Sequence, residues 1–158
     1  MLHSHSVILF NSRTPEHSWL SNFHRIAGSQ LWVLVDEDTT ARADTAEHVY
    51  QAMKFSPGPM RALIMRQPTA AAAKRAGRSG VPRPDWYAER TQLMRLIVHD
   101  KFTRHPYLCA KLLATGDQRL AHLSPWDLFW GVDDAGKGQD QLGRMIMQVR
   151  LQLKRDLN

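Results

Sequence analysis

The residues best suited to chemistry stand in two short stretches. In residues 44–55, DTAEHVYQAMKF, a carboxylate, an amide and an amine follow one another as Glu47, Gln51 and Lys54, with His48 and Tyr50 beside them. At 100° per residue the three fall within about 60° of each other on a helix, and Ala46, Val49, Ala52 and Met53 lie roughly opposite. Such a stripe can move protons and hold charge where something encloses it. On an open surface it only caps and solvates a helix, and Asp44 followed by Glu47 has the form of a capping box, which needs no function. The second stretch is WDLFWG, residues 126–131, with Gly136 and Gly138 after it. Here Asp127 stands among aromatics, and the glycines give a backbone that can approach a flat ring or a phosphate closely, because no side chain intervenes. The spacing is that of neither a P-loop nor a dinucleotide fingerprint, and a core loop with Trp126 and Trp130 buried would read the same.

Other chemistries find little support. Eight histidines are scattered, His3 and His5 lie near the terminus, and there is no HExxH, so no metal is expected. No serine has a nucleophile-elbow context, and the lone Cys109 sits in an apolar helical run, where it reads as core filler rather than a reactive thiolate. One cysteine cannot form an internal disulfide and fits a reducing compartment, most simply the cytoplasm.

The elements that must position these residues are those of an α+β chain in which helix dominates. Its 158 residues suit a single domain, 1–158, with no linker. Residues 7–10 and 31–35 are β candidates that could pair as an edge hairpin across HRIAGSQ, and DEDTTARAD, residues 36–44, reads as an exposed loop. Pro59 and Pro68 suit the first turns of two short helices. Residues 85–104 carry Leu93, Leu96, Ile97 and Phe102 toward a core, and a further helix runs from Pro106 to Gly116. Residues 119–124 suit a strand, and Asp140 an N-cap for a last helix with Leu142, Met145, Ile146, Val149 and Leu153 inward. No segment is apolar enough to cross a bilayer and the start lacks a signal-peptide pattern, so a soluble protein with no membrane partner is expected. A net charge of +6 favours anionic partners such as phosphates, nucleotides or nucleic acid.

Taken in order, the segments resemble the YbiA-like, or NADAR, family of N-glycosidases. The resemblance covers nearly the whole chain: LSNF at 20–23, TAEHVYQAMKF at 45–55, AKRAGR at 73–78, DW at 85–86, KFTRHP at 101–106, LLATGD at 112–117, DLFWG at 127–131, GKGQDQLG at 136–143 and MIMQVR at 145–150. It implies a compact, mainly helical α+β fold and an enzyme that breaks the bond between ribose C1 and a base-like nitrogen, without a cofactor. The implied substrates are anionic ribosyl-nitrogen compounds: ADP-ribosylated guanine on nucleic acid, or phosphoribosylated pyrimidine intermediates of riboflavin synthesis.

Cleaving such a bond builds positive charge on the ribose, so a carboxylate must stabilise it while a proton donor assists the leaving nitrogen. The resemblance casts Glu47 as the residue that orients or activates water and Asp127 as the acid that holds the ribose or helps with protons. Lys54 pairs with a phosphate, stabilises charge, or acts as an amine nucleophile on an opened ribose, which needs a depressed pKa. Phe23, Trp86 and Trp130 are candidates to stack on the base, Asn22 to bind ribose or base edge, and Arg75 and Arg78 to bind phosphate. His48, Gly131, Gly138 and Asp140 complete the expected substrate contacts; Trp86 also reads as core, and the arginines as helix-end solvation. The chain departs from the family pattern at Asp133, Asp140 and His122, where a glycine, an asparagine and an acid are usual, and in a longer loop at 33–44. The two added acids should repel phosphate, which bears on the substrate more than on the bond. Two rivals remain: a non-catalytic ADP-ribose or nucleic-acid binding module, and an antitoxin that acts by contact with a cognate ADP-ribosyltransferase toxin.

Overall fold

Val7–Phe10 alternates in burial as a half-covered strand should: Ile8 and Phe10 face inward, Val7 and Leu9 outward. In the computed structural model, which describes residues 6–26, 31–34 and 40–158 with the side chains of 32–34 set aside, this strand, β1, does not join the expected hairpin. It pairs in parallel with β4 (Arg119–His122), Val7 opposite Arg119 and Phe10 opposite His122. Strand β2 (Leu31–Leu34) pairs instead with β3 (Thr40–Ala43), antiparallel and within the segment expected to be loop. The alternation in β3 is real but carried by small residues, Ala41 and Ala43 buried and Thr40 and Arg42 exposed, so apolar bulk does not announce it. Residues 1–5, 27–30 and 35–39, which include the two terminal histidines, most of the HRIAGSQ turn and much of the long loop, lie outside the described residues.

The chain is α+β and mainly helical, and it comprises two compact units. One is Asn22–Lys101. It holds β2, β3, α1 (Ala46–Met53), α2 (Pro59–Met65), α3 (Ala70–Ala76) and most of α4 (Trp86–Arg104). Helix α1 packs on α2, α3 and β3. Pro59 does open α2, after Gly58 at φ 152°. Pro68 does not open α3: Thr69 is its N-cap, accepting from the Ala72 amide at 3.1 Å, so the proline precedes the cap. In α4 the buried side is Leu93, Met94, Ile97 and Val98, and Leu96, turned about 100° from Ile97, is exposed rather than core-facing.

The other unit joins the stretch up to Ser21 with Phe102–Asn158. It contains the β1–β4 pair, a short 3-10 turn at Ser18–Leu20, α5 (Pro106–Ala114) and α6 (Gln141–Asp156). Trp19 meets Phe102 edge-on at 6.2 Å, and Arg150 donates to the Thr115 hydroxyl at 2.8 Å, tying α6 to the end of α5. Asp140 caps α6 as expected, although in the left-handed conformation that short polar residues tolerate. Leu142, Met145, Ile146 and Val149 face inward, Leu153 is half-exposed, and Cys109 is only half-buried rather than core filler. No described helix is long and apolar enough to cross a membrane.

Candidate active site

Helix α1 begins one residue later than a capping box at Asp44 requires. Thr45 is the N-cap, and its hydroxyl oxygen accepts from the His48 amide at 3.3 Å. The same hydroxyl lies 2.7 Å from His48 Nδ1, while Nε2 lies 2.9 Å from the Gln67 carbonyl oxygen. A carbonyl only accepts, so Nε2 carries a proton and donates it to Gln67. Both nitrogens of His48 are thereby engaged in holding α1 to the turn after α2. Asp44 pairs with Arg25 at 3.2 Å.

Freed from capping, Glu47 points inward. Its backbone N–H donates to the Asn22 carbonyl at 3.0 Å, fixing the LSNF segment against the start of α1. Its carboxyl is 6% exposed and accepts from Gln51 Nε2 at 2.7 Å; Gln51 is buried too. The polar stripe is therefore an interior one. Burial pushes the Glu47 pKa above the usual carboxylate value, against the lowering effects of the Gln51 hydrogen bond and then of Lys74, His48 and Lys54. Lys54 donates to the Gly77 carbonyl at 2.8 Å. Burial lowers the Lys54 pKa, Glu47 raises it and Arg78 lowers it.

This cluster brings together Asn22, Glu47, Lys54 and Arg78 of the expected residues, and adds two that sequence reasoning missed. Lys74 stands with its Nζ 5.7 Å from the centre of the Phe23 ring and is the strongest cationic influence on Glu47. Lys74 lies in the last turn of α3 and is half-buried, whereas its neighbour Arg75 is exposed. Gly77 is the second. Its φ of −67° suits any residue, but a Cβ there would lie 2.9 Å from Gln51 Cδ and closer still to Oε1, so only glycine leaves room for the amide. Gln51 Oε1 is buried with no hydrogen-bond partner among the described residues. Trp86 takes its core reading: it is 1% exposed, with the Tyr50 ring at 5.0 Å and the Arg83 guanidinium at 5.7 Å, and it offers no face to a base.

The remaining expected residues belong to the unit that joins the stretch up to Ser21 with Phe102–Asn158. Asp127 is exposed and builds its own loop: its Oδ1 accepts from the Trp130 amide at 3.2 Å and its carbonyl from Gly131 at 2.9 Å. Trp130 is nearly buried against Phe129, while Trp126 is 84% exposed rather than buried. Gly131 and Gly138 are needed for the loop to fold on itself. A Cβ on Gly131 would lie 2.5 Å from the His122 carbonyl oxygen, and one on Gly138, at φ +147°, would strike the Gly131 carbonyl. Asp140 is likewise structural, being 1% exposed with Oδ1 accepting from His122 at 3.0 Å and Gly143 at 3.2 Å. Asp133 closes a turn through the amides of Ala135 and Lys137, and His122 stacks on Phe10 at 5.4 Å. The acids expected to repel phosphate thus each direct an oxygen at backbone amides.

The NADAR domain family matches residues 9–154. The N-glycosidase YbiA of Escherichia coli is 34% identical over 151 residues, covering 94% of this chain and 89% of that protein. An N-glycosidase of Nostoc punctiforme is 37% identical over 115 residues, covering 70% and 74%. A riboflavin biosynthesis protein of Vibrio vulnificus is 35% identical over 153 residues, and the match spans 93% of this chain but 38% of the length of that protein. The NMR structure of Escherichia coli YbiA superposes with a TM-score of 0.79 and 32% identity, over 96% of this chain and 87% of that one. A match along nearly the entire sequence, together with that shared fold, shows that this chain belongs to the NADAR family.

Proposed function

We propose that this N-glycosyl hydrolase cuts the bond between ribose C1 and a base nitrogen at the Glu47 cluster, with ADP-ribosylated guanine on nucleic acid as its substrate. The burial of the Glu47 carboxyl beside Lys54 and Lys74 carries the reading. A carboxyl in a dry setting stabilises positive charge on C1 more strongly than one in water, and a raised pKa brings it toward the range where it can take a proton from an attacking water. Asn22 and the unpartnered Gln51 oxygen supply polar groups for sugar hydroxyls. Lys54, with its depressed pKa, holds phosphate charge or reacts as an amine.

Nucleic acid is favoured by charge. Residues 54–84 hold seven Lys and Arg and no Asp or Glu, and Arg66, Arg75 and Arg78 among them are exposed. A second substrate, a phosphoribosylated pyrimidine, has the Vibrio vulnificus relative's name in its favour. Glu47→Gln is expected to abolish base release from either substrate, read by mass spectrometry, while the melting curve stays cooperative. Unchanged turnover would remove the assignment. A binding module without catalysis would instead show salt-dependent binding and no product. A cognate ADP-ribosyltransferase toxin is the proposed physiological counterpart; reversal of its modification should be lost in Glu47→Gln, whereas protection by protein contact would survive.

A further inference from the structure

Helix α1 ends at Met53, so the carbonyls of its last turn have no partner within the helix. Two arginines from outside take three successive carbonyls there. Arg83 donates from Nε to the Met53 carbonyl at 2.9 Å and from its backbone N–H to the Lys54 carbonyl at 2.9 Å, while Arg61 Nε donates to the Phe55 carbonyl at 2.7 Å. A guanidinium in this place also meets the negative end of the helix dipole. The Arg83 side chain is itself held: it is 16% exposed, with Nη1 2.7 Å from Asp85 and 3.0 Å from Glu89 and its guanidinium 5.7 Å from the centre of the Trp86 ring. Buried Trp86 in turn packs on Tyr50 of α1. Both carboxylates are more than half exposed, so their ion pairs add little stability. Their effect is to aim the fork at the helix end.

The consequence falls on Lys54. Its carbonyl accepts from Arg83 and its amine donates to the Gly77 carbonyl, so residues 78–82 form a strap whose two ends are both pinned to this one residue. We infer that Arg83 is the positioning residue for Lys54, closing the strap over the end of α1 so that the amine stays beside the Glu47 carboxyl. Lys54 is the C-cap, a place where helices fray, and its flexible four-carbon stem amplifies any movement of the backbone beneath it. Locking the Met53 and Lys54 carbonyls removes that movement at its root. The task needs a planar fork: Nε reaches the helix while Nη1 reaches the two carboxylates, whereas a lysine carries all its donors on one atom and cannot span both. The strap itself, with Arg78, Ser79, Gly80 and Val81 exposed, has little packing of its own to hold it in place.

The inference deepens the proposed function and rests on it for the part the Lys54 amine plays in the reaction; the positioning itself is read without substrate. In wild type, competitive labelling with acetic anhydride, followed by peptide mass spectrometry, should find the Lys54 amine titrating below an ordinary lysine, as its burial requires. In Arg83→Met, and equally in Arg83→Lys, the strap loosens, the amine loses its cover and its titration moves up toward the ordinary value. With it kcat should fall roughly 10- to 100-fold, the change in KM being the smaller. Arg61→Met, which removes the donor to the neighbouring Phe55 carbonyl, should lower the melting point and leave the Lys54 titration in place. Should Arg83→Met not fold, Arg83→Lys carries the test. An unshifted Lys54 amine in a folded Arg83 variant, wild-type titration restored by Arg83→Lys, or an equal shift in Arg61→Met would overturn the inference. Base release is scored separately: a shifted amine in a protein that releases no base sustains the positioning and sinks the reaction, and release with an unshifted amine does the opposite.

Discussion

Replacing Gly77 by alanine tests the geometry of the Glu47 cluster in one step. At φ −67° and ψ −11° the backbone there is helical, so alanine should by itself stabilise by roughly 0.4–1 kcal/mol through the unfolded chain. Against this, its Cβ would lie 2.9 Å from Gln51 Cδ, 3.1 Å from Gln51 Cβ and within contact distance of Oε1. Turning the amide alone does not clear the Gln51 Cβ, so the strain is of the overpacking kind, about 1–3 kcal/mol. The clash wins, leaving a net loss of about 1–2 kcal/mol and a melting point lower by roughly 3–6 °C for a chain of this size. The amide that moves is also the donor at 2.7 Å that holds the Glu47 pKa down. Its displacement lets that pKa rise further, so activity that needs the ionised carboxylate should fall off at higher pH than in wild type. Adding Gln51→Ala should relieve the clash and keep the displaced acid limb. Thermal melts and pH–rate profiles of the single and double variants read both effects; a Gly77→Ala protein as stable as wild type, or with an unmoved acid limb, would refute the reasoning.

Two further predictions follow from buried charge. Because the Glu47 pKa is raised in the folded state, the folded protein holds its proton longer than the unfolded chain does, so stability is full below the ordinary carboxylate pKa and declines as pH rises through the folded pKa. Glu47→Gln lacks that decline, and its stability relative to wild type in urea titrations should grow between acid and neutral pH; a constant difference would count against an interior carboxylate. Lys101, 1% exposed, has its pKa pushed down by burial to about 7 from 10.5. Between those values the unfolded chain binds the extra proton, so wild type should gain stability with rising pH, by a few kcal/mol at most. Lys101→Met should lose this rise, and a parallel pH profile for the two proteins would show that the ammonium finds solvent.

Local pattern revealed the helices because their caps and breakers are local: Pro59, Thr45 beside Asp44, and Asp140 all sit within a turn of what they control. It failed where the partner is remote or small. The parallel pairing of Val7 with Arg119 spans most of the chain, and nothing in a four-residue strand encodes which other strand it meets. Strand β3 hid because alanine is neutral between loop and interior. In the WDLFWG loop the glycines were legible as required but not as to why: a close approach of the loop to its own backbone leaves the same residue as a close approach to a phosphate.

The ambiguity at α1 has a different origin. Asp44 with Glu47 and Thr45 with His48 are both acceptor-and-partner pairs three residues apart, and a shift of one residue in the helix start decides which pair caps. When Thr45 caps, Glu47 is released from the helix terminus and its position 100° further round carries it inside. The cost of burying that carboxyl is offset only because the rest of the Asn22–Lys101 unit brings an amide and two ammonium groups to it, Gln51 from the same helix and Lys74 and Lys54 around the end of α3. Gly77 sits where those converge, and its missing side chain is the space the Gln51 amide occupies. A solvated helix would need none of this: neither a glycine fitted to an amide nor a lysine placed on an aromatic ring beside a buried acid. The coincidence of these features around one carboxyl is what separates an enclosed polar cluster from a capped helix, and it becomes visible only when α1 and α3 are seen together.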